Sequence, residues 1–221
     1  MKRFLVILIS LVLLTGVAGT AQAISMQELF DGQEIIVDDK RFFDWYLGDV
    51  ISTDGTEPIF SEYDVSGLPG GMNPGLLFQD LNQTTVFDDN FLDYSFGYSV
   101  EVLDPDLRIK DVSYLLIDGV LEGDAPFIGS VEDVYADNGD LLASLFIDTD
   151  INFEDSAEFA PQQIIHVEKN ILVGGLFDGD EAGLWQYEQR FSQEAVPEPA
   201  TLILLGSGLT GLAFARRRFR K

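Results

Sequence analysis

Asp178-Gly179-Asp180-Glu181 and Asp137-Asn138-Gly139-Asp140 are acidic, glycine-containing turns of the kind that could wrap a divalent cation. Calcium takes six to eight oxygen ligands at about 2.3–2.6 Å from carboxylates and loop carbonyls, so it is the cofactor these residues could hold. The same residue types favour hairpin turns for backbone reasons alone. Asp148-Thr149-Asp150-Ile151-Asn152 begins like an EF-hand loop, but Phe153 stands where that loop needs glycine and Phe159 where it needs its bidentate acid. An EF-hand is therefore excluded. Paired carboxylates such as Glu122 with Asp124, or Glu132 with Asp133, could serve glycoside hydrolysis if held about 5–9.5 Å apart across a cleft. Nothing in the sequence singles them out from the other acids. His166 is the only histidine, so a Ser-His-Asp triad would have to use it as base, and no Gly-x-Ser-x-Gly elbow supplies the serine. The sequence assigns no catalytic residue and no metal ligand.

The elements that would position these groups read as strands. Tyr94 to Val102 alternates aromatic or branched residues with small or polar ones, the period of a strand with one buried face. Val112 to Ile117 reads as a buried strand ended by Asp118-Gly119. Ser130 to Tyr135 and Leu141 to Ile147 flank the Asp137–Asp140 turn as a hairpin. Gln163 to Val173 is a long strand that carries His166 and that Gly174-Gly175 breaks. Leu184 to Phe191 follows, with Trp185, Tyr187 and Phe191 on one face. Glu34 to Val37, Arg41 to Leu47, Ile59 to Tyr63 and Leu76 to Gln79 complete the set, and Met26 to Phe30 has room for one helical turn. This pattern predicts an all-β, antiparallel, jelly-roll-like sandwich, with a barrel as the alternative. The turn-rich stretch Gly67 to Gly75 is either a binding loop or a connector. Exposed aromatics at Trp45, Tyr46, Tyr63 or Trp185 would indicate a platform for stacking sugars; buried ones would indicate a structural domain.

Charge narrows the partners. The chain has 38 acidic and 13 basic residues. Lys2 and Arg3 lie near the N-terminus, and Glu198 with five bases lies after Val196. The central domain thus keeps 37 acids against Lys40, Arg41, Arg108, Lys110, Lys169 and Arg190, a formal charge of −31. Such a domain repels phosphates, so nucleic acid and anionic lipid are excluded as partners. Divalent cations or a salt-rich habitat would relieve the self-repulsion. Cysteine is absent, which removes disulfides, thiolate metal sites and thiol nucleophiles.

Both ends carry address labels. Lys2-Arg3, the apolar run Phe4 to Leu14 and the small-x-small motif Ala21-Gln22-Ala23 predict a signal peptide over 1–23, cleaved after Ala23. The other end has three parts: Pro197-Glu198-Pro199, an apolar segment over about 200–215, and the basic tail Arg216, Arg217, Arg218, Phe219, Arg220, Lys221. Sixteen residues make a helix of about 24 Å, short of the roughly 30 Å hydrocarbon core, so snorkelling arginines would help it span. The basic tail predicts a cytoplasmic C-terminus. The prolines keep the motif extended and open to a protease. The expected layout is a signal peptide (1–23), an acidic β domain (24–191), a linker (192–196) and a C-terminal signal (197–221).

This end resembles the PEP-CTERM sorting signal. The resemblance implies that Pro197, Glu198 and Pro199 are read by an exosortase-type membrane protease, that the helix holds the precursor in the inner membrane, and that Arg216–Arg218, Arg220 and Lys221 stop transfer. An ordinary tail anchor is the alternative. The resemblance further implies a Gram-negative host and a mature protein at the cell surface or in the extracellular matrix, associated with exopolysaccharide. The expected role is structural or adhesive and non-catalytic, with exopolysaccharide or a surface protein as partner. The alternatives are a calcium-stabilised carbohydrate-binding module and, third, a hydrolase working through paired carboxylates.

Overall fold

Alternating inward apolar residues build two antiparallel sheets that close on each other, and a computed structural model describes them over residues 23–149 and 151–196. The strands in chain order are β1 (Ile24–Ser25), β2 (Ile35–Val37), β3 (Lys40–Ser52), β4 (Tyr63–Leu68), β5 (Gly75–Asp80), β6 (Val86–Phe87) and β7 (Phe91–Val102). They continue with β8 (Leu107–Glu122), β9 (Pro126–Ala136), β10 (Leu141–Asp148), β11 (Glu154–Gln162), β12 (Ile164–Gly175), β13 (Glu181–Arg190) and β14 (Gln193–Ala195). One short helix, α1 (Met26–Phe30), follows β1. Ser25 and Glu28 close it with a reciprocal capping box, and Met26 and Leu29 are its buried face.

An eight-stranded sheet runs β1-β4-β5-β13-β8-β11, with β14 beside β8 and β6 beside β13; a six-stranded sheet runs β10-β9-β12-β7-β3-β2. From β7 the chain crosses between sheets. β12 returns to lie between β7 and β9, and β13 to lie between β5 and β8. That return makes the sandwich a jelly roll, as the sequence predicts.

The space between the sheets is filled by rings. Trp45 stacks on Tyr98 at 4.4 Å and Phe78 on Tyr187 at 4.5 Å, and Phe78 also meets Phe96 at 5.9 Å. Phe78 and Tyr187 come from one sheet, Trp45, Phe96 and Tyr98 from the other, so the ladder joins the layers.

Several boundaries differ from the sequence reading. β8 runs through Asp118-Gly119, where its register against β13 shifts, and does not end there. β12 includes Gly174 and Gly175, which pair with Phe127 and Pro126 of β9. Those glycines are needed because a Cβ at Gly174 would come within 2.7 Å of the Asn90 carbonyl. Ile59 to Tyr63 is a 3-10 turn (Phe60–Glu62) leading into β4, not a strand. β11 carries no buried residue; it is an edge strand, charged and holding Pro161, and so gives no hydrophobic period. The bulge between Leu184 and Tyr187 takes Trp185 off the face that Tyr187 and Phe191 share, leaving it half-buried. Gln193–Ala195, read from the sequence as linker, is β14, and Val196 N still donates to the Asp106 carbonyl.

The residues up to Gln22 expected to form a signal peptide, including Ala21, and the C-terminal segment from Pro197 to Lys221 lie outside the described residues, as does Asp150. Ala23 is described and exposed. Among the described residues no helix is long and apolar enough to cross a membrane.

Candidate functional site

The acidic turns satisfy themselves. Asp180 is 2% exposed. Its Oδ1 accepts from the backbone N–H groups of Asp124 (2.7 Å) and Ala125 (3.1 Å), and its Oδ2 from those of Leu176 (2.9 Å) and Phe177 (3.0 Å). Burial works to raise its pKa, but the four donors together outweigh burial and hold it below the ordinary value of 3.8. Four N–H dipoles aimed at one carboxylate suit an anion and leave a cation no oxygen. Asn138 and Asp140 bond each other across their turn at 2.8 and 3.1 Å. Asn152 bonds back to the Phe146 and Glu154 carbonyls. Among the described residues no three acid or histidine side chains converge as a metal site.

Asp180 yields a pH prediction. A folded pKa below the unfolded one contributes stability that is present above pH 3.8 and lost as pH falls through the folded value. Asp180→Asn should therefore unfold at lower urea than wild type at about pH 7, with the gap closing below about pH 4. Urea midpoints of the two proteins that move in parallel from neutral to acidic pH would show that Asp180 is not the group responsible.

The carboxylate pairs separate as well. Adjacent residues of a strand face opposite ways, so Glu132 is buried at 0% while Asp133 points out of the sandwich. Glu122 and Asp124 stand exposed at the end of β8. His166 Nδ1 lies 2.8 Å from Ser99 Oγ and Nε2 lies 3.5 Å from Asp137 Oδ1. This is a Ser-His-Asp set by composition only. Ser99 is 3% exposed, in the middle of β7 with β3 and β12 paired on either side. Its hydroxyl is covered by the imidazole, and the neighbouring N–H groups belong to the ladders, so no oxyanion hole is available.

The outer face of the six-stranded sheet is where polar and aromatic groups do gather. Between Tyr94 and Val100, β7 presents only Ser95, Gly97 and Ser99 outward, because Tyr94, Phe96, Tyr98 and Val100 face the core. Small residues on a central strand leave a trough flanked by longer side chains. Register sets its rows. Tyr46, Gly97, Glu168, Asp133 and Ser144 lie across the sheet in one row, with Ser99, His166 and Tyr135 in the next and Ser95, Asn170 and Val131 on the other side.

The hydroxyl end of the Tyr46 ring covers Gly97, whose added Cβ would meet Cε1, Cζ and the hydroxyl oxygen at 2.5 Å. That hydroxyl donates to Glu168 Oε1 at 3.1 Å. Burial, then the Glu168 bond and charge, push the phenol up to about 12. Asp133 takes the Ser144 hydroxyl, and Asn170 donates to Asp93 at 2.6 Å. Two depressions sharing Glu168 result. One of about 320 Å3 is lined by Tyr46, Asp49, Ser95, Asp133, Glu168 and Asn170, and the other, of about 420 Å3, by Tyr135, Gly139, His166 and Glu168. Glu168 and Asp133 sit directly opposite one another, a like-charge pair that weakens a sheet.

Of the four aromatic residues offered by the sequence as a platform, Trp45 and Tyr63 are buried, Trp185 is half-buried, and Tyr46 is 46% exposed. Sequence reasoning missed Glu168 and Asn170, named Asp133 only as a partner for Glu132, and met Tyr135 only as the end of a strand. Period two was the available signal, since each alternates with a buried residue of β9 or β12. The Gly67 to Gly75 stretch acts as a connector. Asp38 takes the N–H groups of Gly70 and Gly71, and the Pro74 and Met72 carbonyls take those of Phe191 and Gln193.

Fold and tail define the chain as an all-β jelly-roll sandwich ending in a sorting tag. The tag is the PEP-CTERM protein-sorting motif, which matches residues 195–218. That motif indicates an exported protein handled by exosortase-type machinery. No curated protein matches the chain. Among solved structures, it is similar to TmCBM61, solved in complex with β-1,4-galactotriose, at 14% identity over 69% of this chain and 89% of that one, TM-score 0.28. It is also similar to the mannan-recognising carbohydrate-binding module TmCBM27, at 6% identity over 80% and 97%, TM-score 0.29. A third likeness is to accessory secretory protein 1, 2 and 3 of Streptococcus pneumoniae, at 10% identity over 64% and 95%, TM-score 0.32. These identities and scores carry no ligand across to this chain.

Proposed function

We propose that this protein is a non-catalytic, adhesive component of the cell surface or extracellular matrix that holds an uncharged polysaccharide on the outer face of its six-stranded sheet. The observation that carries the reading is Tyr46 laid over Gly97 beside Glu168 and Asp133. A ring anchored over a glycine and 46% exposed offers apolar surface to the C–H side of a sugar, and fixed carboxylates accept hydroxyl donors at its edge. Asp49, Asp93, Asp133 and Glu168 around the trough repel uronates and other anionic glycans. Export supports the reading, because an exported chain can meet such polymers. Processing at Pro197-Glu198-Pro199 would free the domain from the inner membrane.

The test is calorimetric titration with uncharged polysaccharides and with an alginate-type polyuronate. Wild type should bind an uncharged polymer and not the polyuronate. Tyr46→Ala should weaken binding about tenfold or more, since about 1.4 kcal/mol is a factor of ten. Ile117→Ser, on the other sheet, should leave binding unchanged. Equal binding by Tyr46→Ala and wild type would remove the site.

A further inference from the structure

Lys169, Glu132 and Gln189 meet between the sheets, at 1%, 0% and 0% exposure. Lys169 Nζ donates to Gln189 Oε1 at 2.9 Å, Gln189 Nε2 donates to Glu132 Oε1 at 2.7 Å, and Glu132 Oε2 lies 2.5 Å from Nζ. The amine thus faces the amide carbonyl while one carboxylate touches both the amine and the amide nitrogen. Tyr114 lies beneath Nζ at 3.3 Å and Tyr187 at 5.3 Å. We propose that Lys169 and Gln189 join spontaneously through an amide bond, Glu132 moving the protons and ammonia leaving, so that β12 of one sheet is covalently tied to β13 of the other.

The step balances without oxidant or cofactor. Glu132 takes a proton from the Lys169 ammonium, and the freed lone pair attacks Gln189 Cδ, one carbonyl bond of about 1.23 Å beyond the oxygen that Nζ already touches. In the tetrahedral adduct the carboxyl protonates Nε2, with which it is already hydrogen-bonded. The Cδ–Nε2 bond breaks, and the new Nζ–Cδ bond keeps the acyl group. Ammonia departs, leaving with the remaining proton as ammonium, and Glu132 returns to carboxylate. Burial favours the neutral amine and pulls Lys169 below its ordinary value, against the opposing pull of Glu132. Holding both reactants in one packed pocket removes the entropy cost of bringing amine and amide together, and protonation of Nε2 by the Glu132 carboxyl makes ammonia the leaving group.

The arrangement recurs. Lys40 of β3, also 0% exposed, donates to Gln193 Oε1, and Gln193 Nε2 donates to Asp39 at 3.0 and 3.1 Å. Asp39 lies 4.0 Å from the amine. Burial, partly offset by Asp39, brings Lys40 down to about 8. The two sets share group types and order of contact, and each ties the six-stranded sheet to the last strands before the sorting motif. In an exported domain without cysteine, such bonds would do the work of disulfides.

The full chain, isolated folded, is digested and its peptides are sequenced by tandem mass spectrometry. The expected result is one branched species holding Lys169 and Gln189, lighter than its two linear parts by one ammonia, with tryptic cleavage lost at Lys169. Linear Lys169 and Gln189 peptides from folded wild type would overturn the proposal, whatever the state of Lys40 and Gln193. Glu132→Gln, where it folds, should yield only linear peptides, and a branched species from it would overturn the role given to Glu132. The wild-type digest decides the bond by itself.

Discussion

Glu132→Ala should lower the unfolding free energy by at least about 3–5 kcal/mol, the cost of leaving the buried Lys169 ammonium without its carboxylate. Lys169 Nζ keeps the Gln189 carbonyl and the Tyr114 ring after that change, but neither neutralises its charge. Burying an unpaired ammonium costs more than a cation–π contact of about 1–2 kcal/mol returns. Gln189 Nε2 loses its acceptor in the same change. The control is Glu132→Leu with Lys169→Met, which replaces the pair by apolar groups of similar size; such swaps are often neutral. Urea melts at about pH 7 make the measurement. A single variant within about 1 kcal/mol of wild type would show that water or a shifted proton already neutralises the site. A double variant that stays well below wild type is the outcome a covalent tie predicts, since both variants lose the tie and only the single one also leaves a buried charge unpaired.

This cluster also shows what the chain discloses and what it withholds. Lys169 shares its parity with Ile165, Val167 and Ile171, which marks it as inward-facing, and the same logic places Glu132 with Val134 and Gln189 with Tyr187. Alternation was readable at each strand. Their meeting was not, because it depends on which strands the jelly roll brings together, and pairing is a long-range matter that period two does not encode. β7 was legible because its residues from Tyr94 to Val102 alternate without a break. β11 was not, because an edge strand whose inner face is only half-buried, at Ala157 and Phe159, needs few apolar residues. The trough needed a further fact, that Gly97 lies under Tyr46 from a strand far earlier in the chain. The sorting tag was legible throughout, since it acts through local sequence and not through the fold.

Phe78→Ala should cost about 3–5 kcal/mol, the range for removing a buried phenylalanine from a core that cannot collapse into the gap. Phe78 sits on β5 of the eight-stranded sheet at 0% exposure. Its ring stacks on Tyr187 of the same sheet and meets Trp45, Phe96 and Tyr98 of the other at 6.2, 5.9 and 6.4 Å. Each of those partners is pinned in a paired strand, so none can swing in to fill the space. Much of the lost energy is therefore contact between layers, and the variant should unfold at lower urea with an unchanged slope, as a less stable protein with the same two-state transition does. Phe146→Ala supplies the comparison: that ring is 50% exposed on β10 and should cost far less. If the two variants melted together, the ring ladder would not be what couples the sheets. The trough on the outer face depends on that coupling. Tyr98 packs on Phe78 from below, next to Gly97 and Ser99 in the strand that floors the trough. Loosening β7 from beneath should weaken the proposed polysaccharide binding in Phe78→Ala at urea concentrations where wild type stays folded.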